Sequence, residues 1–271
     1  LEDTIQTDFS ASTAHSLRYI AVFKLKEFAS GLVRQPQVVF NNLNKIIELT
    51  EKMNEKKINY KFEEFKVSSR ISAHVYMDTV TLLSKGNTNV DCLSMLEASS
   101  MLFVGAISLN ILLPGHISFG HFYINDKHPV FCGTPYIDAL NSAKAIQLNA
   151  LSVDNVVKDN LEEIRNLSKD KNAFSKLGHS LFTHWQTPLY GHSISGASVR
   201  KNMVLIDWPR LSLDVFETIK SYSLQEFYEP YKEAYGPLEQ LRPSLKAYIE
   251  ESVTFMNHCL NQTVKMFNST L

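Results

Sequence analysis

Asp78 is the residue of this sequence whose setting most invites chemistry. Before it, Ile71, Ala73 and Val75 alternate with Ser72, His74 and Tyr76, the period of a half-buried strand. After it, Thr79-Val80-Thr81-Leu82-Leu83 resumes with mostly β-favouring residues. The spacing predicts two antiparallel strands with one carboxylate at their hairpin. An acid at a strand junction between apolar runs is a better site candidate than one on a helix face, and Asp is also a favoured turn former. Both readings stay open on this stretch alone.

Other residue groupings offer less. Gly191-His-Ser-Ile-Ser-Gly196 approaches a hydrolase nucleophile elbow, but the closing Gly is one residue too far from Ser193 and no strand of buried β-branched residues precedes it. His116 and His121 fall on opposite faces of a strand, and His179 and His184 lack metal-ligand spacing. No Walker-type phosphate loop occurs.

The elements that would position Asp78 follow from the flanking pattern. Arg18 to Phe23 is a short apolar run, read as a buried strand entering a first helix, and Gln37 to Lys56 shows a broad apolar face at helical spacing. Glu51 to Lys61 reads as the charged, solvated end of that helix. Leu93 to Leu113 is a long apolar run interrupted by Glu97, Ser99, Ser100, Ser108 and Asn110, which predicts a core or interface helix and not a membrane span. Leu113 to Ile124 predicts a strand entered through Gly115, Asn125 to His128 a polar turn, Val130 to Gly133 a return strand, and Pro135 to Leu151 a helix.

This order resembles the palm domain of the class III nucleotidyl cyclases over Arg18 to Val157. Tyr76-Met77-Asp78-Thr79 falls on the family's acid-bearing hairpin, Gly115-His-Ile-Ser-Phe-Gly120 on a Gly-Gly-Ile-Ser-x-Gly segment, and Gly133 to Ala139 on the start of a helix. The resemblance implies an α+β fold, a ferredoxin-like βαββαβ palm, and the pattern beyond it predicts a mainly helical C-terminal extension. It also implies where chemistry would sit. The family's pattern Asp-x-x-Gly-Phe places Phe28 on its Phe, Glu27 on its Gly and Lys24 on its Asp, the second metal-binding acid. An ammonium cannot ligate Mg²⁺, although it could hold a phosphate. The helix after Gly133 would carry Asn and Arg in active members; Ile137 and Asn141 stand there. Pro114 replaces an Arg before the glycine pair.

The resemblance therefore implies a degenerate cyclase, a nucleotide-binding or dimerising regulatory module, with Lys24, Asp78, Gly133 and Asn141 as nucleotide-site positions. Asp78 is the remaining metal-site acid. The alternative is a working cyclase using Mg²⁺ or Mn²⁺, similar to bacterial stand-alone enzymes that make cyclic pyrimidine nucleotides as antiviral signals. Expected partners are a nucleoside triphosphate and a second palm, in a homodimer or a heterodimer with an active chain, buried through Leu93 to Leu113 or the apolar stripe from Leu241 to Phe267.

Bulk properties agree with such a module. The chain has 271 residues, 44% of them hydrophobic, enough for a large core. A net charge of −1 gives no reason to expect nucleic acid or an acidic membrane as partner. Three widely spaced cysteines suggest a reducing, cytoplasmic setting with no disulfide framework; sequons begin at Asn166, Asn261 and Asn268 and matter only in a secretory one. Three regions are expected: a polar leader or docking arm over 1–17, the palm over 18–170, and an extension over 171–271, in which Met203 to Asp207 reads as a strand stopped by Pro209 and Leu213 to Glu229 and Leu238 to Phe267 as helical.

Overall fold

Tyr19 to Phe23 are buried on both sides of their strand, and the sheet is built around them. The computed structural model describes residues 13–60, 63–125, 130–167, 181–190, 199–211 and 221–269. Strand β1 (Thr13–Lys24) is followed by helices α1 (Phe28–Arg34) and α2 (Pro36–Glu55) and a small separate hairpin, β2 (Lys57–Tyr60) and β3 (Glu63–Lys66). Then come the hairpin β4 (Ile71–Tyr76) and β5 (Thr79–Ser84), helix α3 (Asn89–Ser108) and strand β6 (Gly115–Asn125).

Strand β1 lies between β5 and β6 and pairs antiparallel with both, while β4 flanks β5. Leaving the small β2–β3 hairpin aside, this is a βαββαβ succession with the first strand between the third and fourth, the ferredoxin-like palm. The fold is α+β, as expected.

Alternation along β1 decides which helices cover which face. Tyr19, Ala21 and Phe23 belong to the large core shared with α2 and α3. Ile20 and Val22 join Leu83, Phe122, Ile124 and Ala139 on the other face, under helix α4 (Thr134–Ala145). That helix follows β7 (Val130–Gly133), which pairs with β6.

Helix α3 starts on a capping box, Thr88 with Asp91, and buries Leu93, Leu96, Leu102, Phe103 and Ala106. Among the described residues it is the helix long and apolar enough to cross a bilayer, yet it serves as a core helix. Most of the run Leu93 to Leu113, part of which is expected at a dimer contact, is covered by this chain. The same holds for Leu241 to Phe267, whose Leu245, Tyr248, Ile249, Val253, Met256 and Leu260 are buried.

Four expected boundaries move. Strand β1 begins at Thr13, inside the expected leader; residues 1–12 lie outside the described residues. Lys57 to Tyr60 is strand where a charged helix end was expected. Helix α4 stops at Ala145 instead of running to Leu151, because the next backbone is drawn to strand β9 (Phe182–Leu189): Gln147 N donates to Pro188 O at 2.9 Å. Leu151–Val153 is a short buried strand, β8, parallel to β6, and the helical pattern resumes as α5 (Asn155–Leu167).

The expected division at 170/171 does not separate two cores. Strands β9 and β10 (Val199–Ile206) extend the main sheet in the order β4-β5-β1-β6-β8-β10-β9. After α6 (Trp208–Leu211), the short helices α7 (Leu224–Tyr228) and α8 (Lys232–Tyr235) lead to the long α9 (Pro243–Ser269). Leu205, Trp208, Tyr231, Met256 and Cys259 share one buried cluster with Phe23 and Leu102. Gly191 to Gly196, His179 and the first part, 213–220, of the stretch 213–229 expected to be helical lie outside the described residues.

Candidate functional site

Lys24 ends β1 directly opposite Thr79, the first residue of β5, so the register sets its side chain beside the hairpin turn. Met77 takes the left-handed backbone (φ 51°) that closes the two-residue turn. Leu25 N then donates to Asp78 O at 2.8 Å, tying turn to strand end. Across this frame Lys24 Nζ stands 2.5 Å from Asp78 Oδ2. It also donates to Thr79 Oγ1 at 3.1 Å, and that hydroxyl donates to Asp78 Oδ1 at 3.0 Å. Both oxygens of Asp78 are thus engaged, one of them by a cation.

This donor set does not fit a pair of divalent ions. One carboxylate with a resident ammonium supplies neither the ligand number nor the negative charge that Mg²⁺ or Mn²⁺ requires. The sequence-predicted Lys24 and Asp78 are brought together, as a closed ion pair.

Gly133 stands at the N-cap of α4. A Cβ there would lie 2.5 Å from His121 O and 2.6 Å from a ring atom of Phe122, so the close approach of α4 to β6 fixes the residue as glycine. Gly115 likewise leaves room for the Phe23 ring, 2.4 Å from an added Cβ. These two glycines set the placement of α4 and β6 through packing.

Asn141 lies elsewhere, on a cleft of about 570 Å³ between α4 and the β9–β10 hairpin. The size suits a small molecule. One wall is a single helix face: Asp138, Asn141, Ser142 and Ala145, spaced three and four apart. The other includes Leu189, Val199, Arg200, Lys201 and Met203, and Asp154 also lines the cleft. Arg200 is committed, with Nη1 and Nη2 donating to Glu251 at 2.9 and 2.8 Å and Nη1 also to Gln186 O. Lys201 is exposed and has no ion pair among the described residues. Ile137, one turn before Asn141 on α4, is 56% exposed and is not among the cleft residues.

Behind the cleft runs a polar network inside the sheet. Antiparallel register puts His116 beside Val22 and Ser118 beside Ile20, and parallel register puts Ser152 beside His116, all on the face under α4. His116 Nδ1 is 2.7 Å from Ser152 Oγ, and Nε2 is 3.0 Å from Asp154 Oδ1. Ser118 Oγ donates to Asp154 Oδ2. Burial pushes the Asp154 pKa up, but the His116 hydrogen bond and charge, the Ser118 hydroxyl and the Phe119 N–H outweigh it and hold the carboxyl below its ordinary value. An ionised Asp154 makes Nε2–H the donor of its bond. Serine, histidine and aspartate stand in hydrolase order, but Ser152 is fully buried and out of a substrate's reach.

Sequence reasoning missed His116, Ser118, Ser152, Asp154 and Lys201 as a group. The usable signal was period two: His116 and Ser118 in one apolar strand, Ser152 and Asp154 in the next, each putting polar atoms on a face meant for the core. His116 and His121 are indeed on opposite faces.

No protein-family model matches the sequence, and no curated protein does. Among solved structures the chain is similar to the catalytic core of a rhodopsin-guanylyl cyclase with converted specificity in complex with ATPαS. Identity is 8% and the TM-score 0.44, over 72% of this chain and 97% of that one. It is also similar to a class III adenylyl cyclase-like ATP-binding protein from Pseudomonas aeruginosa, at 12% identity and TM-score 0.40, over 55% of this chain and 36% of that one. At these scores the likeness carries no argument about ligand or reaction. The palm assignment rests on the strand order and register of this chain.

Proposed function

We propose that this chain is a nucleotide-binding module on a cyclase-like palm, one that holds a nucleoside triphosphate without cyclising it. The observation that carries the reading is the Lys24–Asp78 ion pair. Cyclisation needs charge stabilised on both the attacking 3′-oxygen and the leaving pyrophosphate, the work of paired ions. Here an ammonium 2.5 Å from the carboxylate fills the position of one ion and neutralises the ligand of the other. Binding needs less: a cation for the phosphates and polar groups for the nucleoside, which Lys201 and the Asn141 face of α4 supply on opposite walls of one cleft.

The module's partner in this reading is a second palm, a copy of this chain or an active one. Tyr76, Met77 and Ile137 are large, apolar and exposed, and Tyr76 shares the α4-bearing face with Thr79 and Lys24 through direct register. Calorimetric titration with CTP and ATP in the presence of EDTA tests the binding. A micromolar affinity weakened about tenfold by Lys201→Ala is expected, since one charge-assisted contact has that order of effect. No heat of binding with any ribonucleoside triphosphate, with or without Mg²⁺, would overturn the proposal.

A further inference from the structure

Asp154 is the anionic group of the cleft that the structure holds most firmly. His116 and Ser118 each donate to one of its oxygens, Ser152 braces His116 from behind, and Asp154 N donates to Ile117 O at 3.0 Å. His116, Ser118 and Ser152 are each nine-tenths or more buried, whereas the Asp154 side chain is 36% exposed and lines the cleft. The Phe119 N–H also donates to the carboxylate, so of its four acceptor directions three are taken internally and one remains. The arrangement fixes the rotamer and leaves an acceptor, and no donor, for the cleft at this position.

We infer that Asp154 reads the nucleobase: its remaining acceptor direction takes the amino edge of cytosine, adenine or guanine and rejects uracil. The inference rests on the nucleotide reading of the cleft and deepens it. Lys201, carried by β10, would draw the phosphates, so the base is left to the part of the cleft beside Asp154 and α4. Cytosine and uracil have the same shape and differ at this edge. Cytosine offers an amino group there, whereas uracil offers a carbonyl oxygen, which would meet a fixed negative charge with nothing to donate. Losing a charge-assisted bond and gaining an acceptor facing an acceptor both act against UTP. Asp138, the other acid of the cleft, is exposed, and no hydrogen bond or ion pair that fixes it is found among the described residues, so it lacks this preorganisation.

The test is the CTP-to-UTP affinity ratio, measured by calorimetry on the full chain in EDTA. Wild type should bind CTP about tenfold or more tightly than UTP. Asp154→Asn, which offers an amide donor to the uracil carbonyl, should bring the ratio close to one. Equal wild-type affinities, or a ratio that survives Asp154→Asn, overturns this inference and leaves nucleotide binding standing. Binding of neither triphosphate overturns both. The wild-type ratio needs no variant, so it decides the matter even where Asp154→Asn does not fold.

Discussion

The Lys24 ammonium and the Asp78 carboxylate face each other at 2.5 Å, where the last residue of β1 meets the β4–β5 turn. Both side chains are less than a third exposed, and the backbone bond from Leu25 N to Asp78 O holds the strand end against the turn. The pair is thus a feature of the register.

Lys24→Asp turns this attraction into repulsion between two carboxylates. The variant should lose about 1–2 kcal/mol in metal-free buffer. Mn²⁺ should restore its melting temperature by binding the folded state, with wild type unaffected. Thermal melts of both proteins with and without Mn²⁺ check this, and a variant indifferent to Mn²⁺ would mean the two acids do not share an ion. Adding Ile137→Asn and Asn141→Arg to this background asks whether the cyclase chemistry can be rebuilt.

Gly133→Ala should cost about 1–3 kcal/mol, the usual penalty of forced overpacking. The atom in the way is the His121 carbonyl oxygen of β6, which cannot swing aside like a side chain. Urea denaturation gives the number; a loss below about 0.5 kcal/mol would contradict the close approach of α4 to β6.

The Asp154 network predicts a pH dependence. Its pKa is depressed in the folded chain, so its contribution to stability is complete above the ordinary value of 3.8 and is lost as pH falls through the lower folded value. Wild type should therefore lose more stability than Asp154→Asn between about pH 5 and pH 3. Urea midpoints at the two pH values make the comparison, and parallel losses in both proteins would count against the bonds from His116 and Ser118.

Met256 lies in α9 yet belongs to the same buried cluster as Phe23 in β1. Met256→Ala should destabilise the whole chain by about 2–5 kcal/mol, and unfolding should remain a single transition by fluorescence and circular dichroism. Two transitions, one of them insensitive to Met256→Ala, would restore the division at 170/171.

The sequence made some of this legible. Alternation from Ile71 to Leu83 located the hairpin and the place of Asp78, because two runs of six residues suffice to display period two. The helical pattern over Leu238 to Phe267 located the last helix, whose regular turns start at Pro243. Strand β8, three residues long and followed at once by a helical pattern, is too short for its period to register, so Leu151 read as the end of a helix and no strand was expected there. Missing β8 hid the rest: without it, β9 and β10 had no edge to join and seemed to belong to an extension.

The site was half legible for the same reason. Lys24 and Asp78 lie in strands that the local pattern identifies, and Asn141 on a helix that it identifies too. The other cleft residues, Asp154 and Lys201, depend on contacts across β6, β8 and β10, set by pairing between residues as far apart as Leu205 and Ser152. No local pattern carries that pairing.

The central claim, binding without cyclisation, is tested most directly by phosphorus NMR of the protein with one equivalent of CTP and excess Mg²⁺. The account predicts that the three triphosphate resonances shift or broaden on adding protein, and that their integrals hold overnight with no pyrophosphate signal. A pyrophosphate resonance growing beside a cyclic-phosphate one would show a working cyclase despite Lys24, and unchanged triphosphate resonances would show that CTP does not bind.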